Sequence, residues 1–456
     1  MNMQRFGRLA PASEGHLAAQ TVRDSRPSPG TIALLVLLTL AVVLSFLDRV
    51  VLGLLIKPIR SDLGLSDTRF SMLFGLIFAG PYAIATLAAG RLADHFRRLS
   101  ILRAAIMLWS VATMFSMLAS SFWSLCAARI LVAMGEAALL PCAYSILADR
   151  FSRAQLGRAY SVLIMGATVG TGIALVFGSA LYAAIAGQPF YDLPLIGQVK
   201  PWQVTFLVVG APGVFLSLAL GAMSEPARSG SRADLEPMRF IAVVRSFLCR
   251  WQVYSALLLG FGLSAMSLQT IQIFGVQHFV RSHGMSLAQA GLQVGLPIVL
   301  LGPFGLWAGG WMNDHLQARG KGEAAFLVGI VAAMGLGLGT IVAMVSRNSA
   351  LAALALWIVG FFSNFPFGAA ASGMVSITLP RARGTITALY TLCATVLGAG
   401  LSPVLTAIVA DSVFHSENAV GLAVACISAA SSLTAIGLFT WARPHLRNAI
   451  AATAHG

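Results

Sequence analysis

A chain of 456 residues that is 57% hydrophobic and only 10% charged, with a mean hydropathy of +0.82, has too little polar surface to fold as a water-soluble globule. Its formal net charge of +14 would suit nucleic acid only if the basic residues clustered on one water-facing surface; here they fall in short loops between apolar segments. The five cysteines (Cys126, Cys142, Cys249, Cys393 and Cys426) are odd in number and lie in or beside apolar runs without Cys-x-x-Cys spacing, so neither a disulfide nor a metal site is expected.

Residues 1–30 carry Arg5, Arg8, Arg23 and Arg26 among Gly, Ser and Pro and read as a disordered cytoplasmic tail. The apolar run that follows, Thr31–Ile56, is too long for a signal-peptide core and has no small-residue cleavage pattern after it, so it is expected to remain as the first membrane helix. At roughly 20 apolar residues per span, eleven more follow: Phe70–Ala89, Ala104–Ser120, Phe122–Ala148, Ala159–Ala186, Gln203–Met223, Gln252–Phe279, Leu287–Trp311, Ala324–Val345, Ala350–Leu379, Thr385–Ala410 and Val420–Trp441. The predicted domains are a six-helix bundle over 31–223, a polar cytoplasmic loop over 224–250, a second six-helix bundle over 251–442 and a tail over 443–456. Placing both termini in the cytoplasm puts 22 of the 30 Lys and Arg residues inside and 6 outside, with Arg49 and Arg129 within the membrane. The positive-inside rule selects that orientation.

The two halves resemble each other. Lys57–Phe96 slides without a gap onto Gln277–Leu316 at an offset of 220, with eight identities in forty that include Gly64/Gly284, Ser66/Ser286, Gly90/Gly310, Asp94/Asp314 and His95/His315. The predicted architecture is an all-α polytopic membrane protein whose two pseudo-symmetric six-helix bundles enclose a site at mid-membrane depth.

Four charges stand in the predicted spans. A charged side chain at bilayer depth costs at least about 2.5 kcal/mol, so such residues normally face a protein interior or a water pathway. Asp48 and Arg49, adjacent on the first helix, point about 100° apart, so one is expected to face the cavity and the other a neighbouring helix. Arg129 and Glu136 on the fourth helix return to nearly one face, roughly 10 Å apart along the axis, and are expected to line one cavity. An Arg/Glu pair that only holds helices together is the bland alternative. At the 220 offset Asp48 and Arg49 meet Leu268 and Gln269, and the mid-span polar residues of the tenth helix are Ser363 and Asn364. One wall of the cavity is therefore expected to be charged and the other neutral and largely apolar, which suits an amphiphile with an anionic head near Arg129 or Arg49. Gln269, Ser363 and Asn364 join the two arginines as candidate binding residues. Ser267, Thr270 and Gln272, beside Gln269, either contact the head group or solvate the cavity.

Gly90-Arg-Leu-Ala-Asp94-His-Phe-Arg97-Arg98, with its echo Gly310-Trp-Met-Asn-Asp314-His315, resembles the loop signature of the major facilitator superfamily. Asp149-Arg150-Phe-Ser-Arg153 resembles the basic loop that accompanies it. The resemblance implies gating roles for Gly90, Asp94, Arg97, Arg98, Asp149, Arg150 and Asp314. The fifth helix has Gly166-x-x-x-Gly170-x-Gly172 and lacks the Gly-Pro pair of many drug antiporters, which disfavours a multidrug exporter. Phe46-Leu-Asp48-Arg49, Arg129 and Gly135-Glu136-Ala137 resemble the spinster-like branch, which is associated with export of sphingolipids and lysophospholipids and with proton-linked transport. Carried over, this makes Glu136 and Asp48 protonation sites and Arg129 a head-group or coupling partner. The expected function is proton-coupled transport of a small amphiphilic anion or zwitterion by a monomer in a bacterial inner membrane. Symport of small organic anions, such as sugar acids or aromatic carboxylates, is the alternative. No His-rich metal cluster, nucleophile elbow or nucleotide-binding glycine loop is found, so no enzyme and no cofactor are expected.

Overall fold

Ser28 starts the first span: its hydroxyl accepts from the Thr31 N–H at 3.3 Å, and Pro29, which has no N–H to leave unpaired, takes the first helical position. From there the computed structural model, which describes residues 27–194, 196–225, 247–378, 383–415 and 419–454, carries twelve helices long and apolar enough to cross a bilayer. They are α1 (Pro29–Leu54), α2 (Asp67–Ala93), α3 (Arg98–Leu118), α4 (Phe122–Arg150), α5 (Gln155–Ile185), α6 (Pro201–Leu220), α7 (Trp251–His283), α8 (Leu287–Ala318), α9 (Ala324–Val345), α10 (Ser349–Met374), α11 (Leu389–Ser412) and α12 (Val420–Ile450).

The expected spans match these one for one, and their ends differ where polar residues continue a helix. The start of α3 lies at Arg98, well before the expected Ala104, because the Glu225 carboxylate accepts from the backbone N–H groups of Arg98 and Leu99 at 3.0 and 2.8 Å. An acidic group there offsets the positive end of the helix dipole. Past the expected boundary at 442, α12 runs on as helix with Leu446 fully buried. Most of the expected tail 1–30 and of the loop 224–250 lies outside the described residues.

The internal repeat has a backbone cause. Gly64 and Gly284, 220 residues apart, end helices with φ of +63° and +64°, a left-handed conformation that a Cβ disfavours. Two residues on, Ser66 and Ser286 each cap the next span by accepting an N–H three residues ahead, at 3.2 Å in both copies. Between α5 and α6, strands β1 (Tyr191–Leu193) and β2 (Gly197–Val199) form an antiparallel hairpin. Just beyond it, Lys200 pairs with Asp62, whose carboxylate also accepts from Trp202 Nε1 at 2.9 Å.

The core falls into three large clusters. One lies within the first six helices around Leu38, Ile106 and Ile146, and one within the last six around Leu257, Phe326 and Phe439. The third joins both halves, from Leu54 and Phe74 to Ile271, Ile298 and Val424, at the end of the molecule opposite the one where α1 begins. Hydrogen bonds cross between the halves at that same end: Thr68 Oγ1 to Asp411 Oδ2 at 2.8 Å, and Gln277 Nε2 to the Leu54 carbonyl at 3.2 Å. On the far halves of α5 and α8, a Cβ built on Gly295 would stand 2.8 Å from the Leu175 side chain and 2.9 Å from the Gly172 carbonyl, so the helices touch backbone to backbone.

At the opposite end the polar contacts among the described residues run within each half. Arg98, almost fully buried, pairs with Asp149 and with Glu225, and its Nη1 donates to the Ser145 carbonyl at 3.2 Å. In the second half Arg250 donates to the Ile377 carbonyl at 3.1 Å, and Asn313 and Gln317 both donate to Ser372 Oγ. Each bundle is thus stapled to itself at the α1-start end, and the two are sealed together at the other.

Candidate functional site

At mid-depth of the first bundle the four intramembrane charges pair crosswise between α1 and α4. Arg129 Nη1 meets Asp48 Oδ2 at 3.3 Å, while Arg49 Nε donates to Glu136 Oε2 at 2.5 Å. The sequence reading has Arg129 and Glu136 line one cavity; in the structure each is held by a different residue of α1, and of the two Arg129 lines the cavity beside Arg49 while Glu136 does not. The cause is geometric. A separation of roughly 10 Å along α4 exceeds what one side chain spans, whereas the neighbours Asp48 and Arg49 fan apart and each meets one of the two levels. Immediately after Glu136, α4 breaks at Ala137–Ala138, which ends the first helical piece on that carboxylate.

Burial separates the two pairs. Asp48 is 3% exposed and Arg129 1%, and Thr113 Oγ1 on α3 donates to Asp48 Oδ1 at 3.0 Å. Glu136 is 1% exposed, but the Arg49 side chain keeps 19% of its surface open. Its guanidinium lies 5.0, 4.8 and 4.7 Å from the ring centroids of Phe46, Phe78 and Tyr82, and Arg129 approaches the Phe78 ring at 5.3 Å. A planar cation over aromatic faces gains electrostatically from the ring quadrupoles. Two atoms in the cluster have no hydrogen-bond partner among the described residues, Arg129 Nε and Glu136 Oε1.

A cavity opens beside Arg49. The first half lines it with Phe46, Val50, Phe74, Phe78, Arg129 and Thr171, and the second half with Gln269, Gln272, Ile273 and Ala399. The expected asymmetry of charge holds, since both lining charges come from the first half. The expected apolar character of the second wall needs correction, because two carboxamides stand on it. Of the other candidates on α7, Ser267 hydrogen-bonds Ser428 on α12 and Thr270 donates to the Ser267 carbonyl, so both are packed away from the cavity. On α10, Ser363 is 2% exposed and donates to the Gly360 carbonyl at 2.7 Å, and Asn364 donates to Ser363 Oγ at 3.1 Å against α8. Neither lines the cavity beside Arg49, because the break after Phe362 in α10 turns both toward helix packing.

The loop residues divide. Gly90 lies inside the last turns of α2, where an added Cβ would meet nothing within 4 Å, and Arg97 is exposed. The Asp94 side chain, like that of Arg153, lies outside the described residues. Arg98 and Asp149 form the buried staple described above, and Arg150 donates to Ser224. Asp314 accepts from Asn313 at 3.3 Å. Sequence reading missed Phe78, Tyr82, Thr113 and Thr171. Phe78 and Tyr82 sit four residues apart on one face of α2, a spacing that could have marked them as a pair facing the charges of α1.

Twelve spans in two pseudo-symmetric bundles, a charged cavity at mid-depth between them and a seal at one end define a polytopic membrane transporter, not an enzyme. The chain belongs to the Major Facilitator Superfamily, whose family model matches residues 38–403. The crystal structure of a bacterial homologue of the human lysosomal transporter Spinster, in an inward-facing and unoccupied conformation, superposes with a TM-score of 0.76 at 26% identity, covering 93% of this chain and 98% of that one. An MFS-type efflux pump of Mycolicibacterium smegmatis is 24% identical over 408 residues, 88% of this chain and 89% of the relative. A probable L-galactonate transporter of Escherichia coli is 24% identical over 420 residues, 89% and 88% of the two chains.

Proposed function

We propose that this protein is a proton-coupled carrier of an amphiphilic anion or zwitterion, such as a lysolipid or sphingolipid, working by alternating access. One observation carries the reading: two buried ion pairs cross between α1 and α4, and one of their cations, Arg49, is partly open to a cavity walled by three phenylalanines. Arg49 and Arg129 bind the anionic head, and the phenylalanines take the apolar part. The resemblance of Phe46–Arg49, Arg129 and Glu136 to the spinster-like branch supports the same assignment. Glu136 and Asp48 take up the proton: an anion that draws an arginine away leaves a buried carboxylate without its counter-charge, and protonation removes that cost.

With both termini in the cytoplasm, the sealed end faces outward and the structure is inward-facing. Gly90, Asp94, Arg97, Arg98, Asp149, Arg150 and Asp314 then lie on the side that must close for the outward-facing state. The likeness to the galactonate transporter over nearly the whole chain favours a second reading, symport of a small organic anion such as a sugar acid. Reconstitution tests the proposal. Glu136→Gln, which mimics the protonated acid, is expected to keep counterflow exchange while losing uphill uptake driven by a pH gradient. A Glu136→Gln protein that concentrates substrate as well as the parent in response to that gradient removes Glu136 from coupling.

A further inference from the structure

Gln269 and Gln272 are three residues apart on α7, so their side chains leave the helix on one face about 5–6 Å apart. Both are half-buried and both line the cavity opposite Arg49. Across from them Thr171, 3% exposed, lines the same cavity from α5. Hydrogen bonds hold the neighbouring polar side chains on α7: Ser267 to Ser428, Thr270 to its own helix, Gln277 to Leu54. Neither Gln269 nor Gln272 has a protein partner among the described residues. Neither carboxamide is a buried orphan: both open into the cavity, where their donors and acceptors are free to meet a substrate's hydrogen-bonding group.

We propose that Gln269, Gln272 and Thr171 form a second recognition subsite that takes a neutral hydrogen-bonding group of the substrate, a hydroxyl above all, while Arg49 takes the anion. This rests on the anion-carrier reading and narrows it to hydroxyl-bearing anions. A carboxamide offers donors and an acceptor together, and a hydroxyl likewise donates and accepts, so the two are mutually complementary. A second charge is disfavoured there, because the second half supplies no counter-ion to the cavity. The arrangement also bears on translocation. Arg49 belongs to the first half and the two glutamines to the second, so a substrate held at both ends ties the bundles together. An analogue lacking the hydroxyl engages one bundle only.

Hydroxyl-bearing anions come from lysolipids and from sugar acids, and two matched sets of probes separate these sources. Lysophosphatidic acid is compared with its 2-deoxy analogue, and gluconate with hexanoate, for binding to the purified full chain and for counterflow in liposomes. The parent protein is expected to prefer the hydroxylated member of at least one set by on the order of tenfold, the strength of a satisfied neutral hydrogen bond. Gln269→Met with Gln272→Met keeps side-chain length, and Thr171→Val keeps shape. In each variant that preference is expected to shrink toward unity, with counterflow of the hydroxylated probe falling more than its binding. Gln272→Asn, which retains the amide, is expected to restore part of it. Because the readout is a ratio within one protein, partial loss of folded material leaves it intact. Binding through Arg49 with no preference in either set, or a preference that survives all three substitutions, overturns the subsite and leaves the anion carrier standing. If no probe binds, or if binding is indifferent to Arg49→Ala, the anion reading itself falls and the subsite falls with it.

Discussion

Asp48 and Glu136 are both buried carboxylates of the first bundle, yet their partners make them unequal. Removing the Asp48 charge strands Arg129, which is 1% exposed and makes no second ion pair among the described residues, and breaking a buried pair in this way costs about 3–5 kcal/mol. Removing the Glu136 charge leaves Arg49 over three aromatic rings and partly open to the cavity. Asp48→Asn is therefore expected to lower the melting temperature in detergent well below that of Glu136→Gln; equal melting temperatures would contradict the crosswise pairing. Arg49→Lys should weaken binding of an anionic substrate at least tenfold, because a point ammonium reproduces neither the planar fork nor the stacking on Phe46, Phe78 and Tyr82. Titration calorimetry or thermal shift against the best-bound probe reads that loss. The four charged residues were legible in the sequence, because charges in apolar spans stand out. Who pairs with whom was not: it depends on how α1 and α4 are rotated about their axes and on how far each side chain reaches. Ser363 and Asn364 show the same limit from the other direction, as polar residues at mid-span that helix packing turns away from the cavity.

The twelve helices were legible from apolar run length, and the positions of their ends were not, since ends are set by partners distant in sequence. Glu225 is the clearest case. It accepts from two backbone N–H groups of α3 and pairs with Arg98, 127 residues away, so it fixes where α3 starts. Glu225→Ala is expected to cost about 2 kcal/mol, the sum of a lost cap and a weakened ion pair. Hydrogen exchange should localise the change: the first turn of α3 opens faster while the middle of α3 keeps its protection. Uniformly faster exchange along α3 would mean that Glu225 holds the bundle together and does not act as a cap. The wider π-helical turns at 174–178, 256–260 and 395–401 left no trace in the apolar pattern, because an inserted residue in a helix that is apolar all round does not disturb its composition.

The molecule is joined across its halves at one end and stapled within each half at the other. If that seal opens in every cycle, fixing it must stop transport. Thr68→Cys with Asp411→Cys, bridged by a short thiol cross-linker, is expected to abolish transport reversibly while leaving substrate binding from the α1-start end intact; undiminished transport in fully cross-linked protein would mean that this end does not move. The two-bundle plan itself was readable from the 220-residue offset, because a left-handed glycine followed by a serine cap turns the chain at the equivalent place in each half. Which end is sealed was not readable, since one sequence serves every state of the cycle. The crosswise ion pairs have a consequence for biogenesis. Both partners of each pair stand on α1 and α4, so the four mid-span charges of the described residues have their counter-ions in the part of the chain made before α7. Charge neutralisation in the first bundle thus needs no residue of the second, which brings only uncharged groups to the cavity.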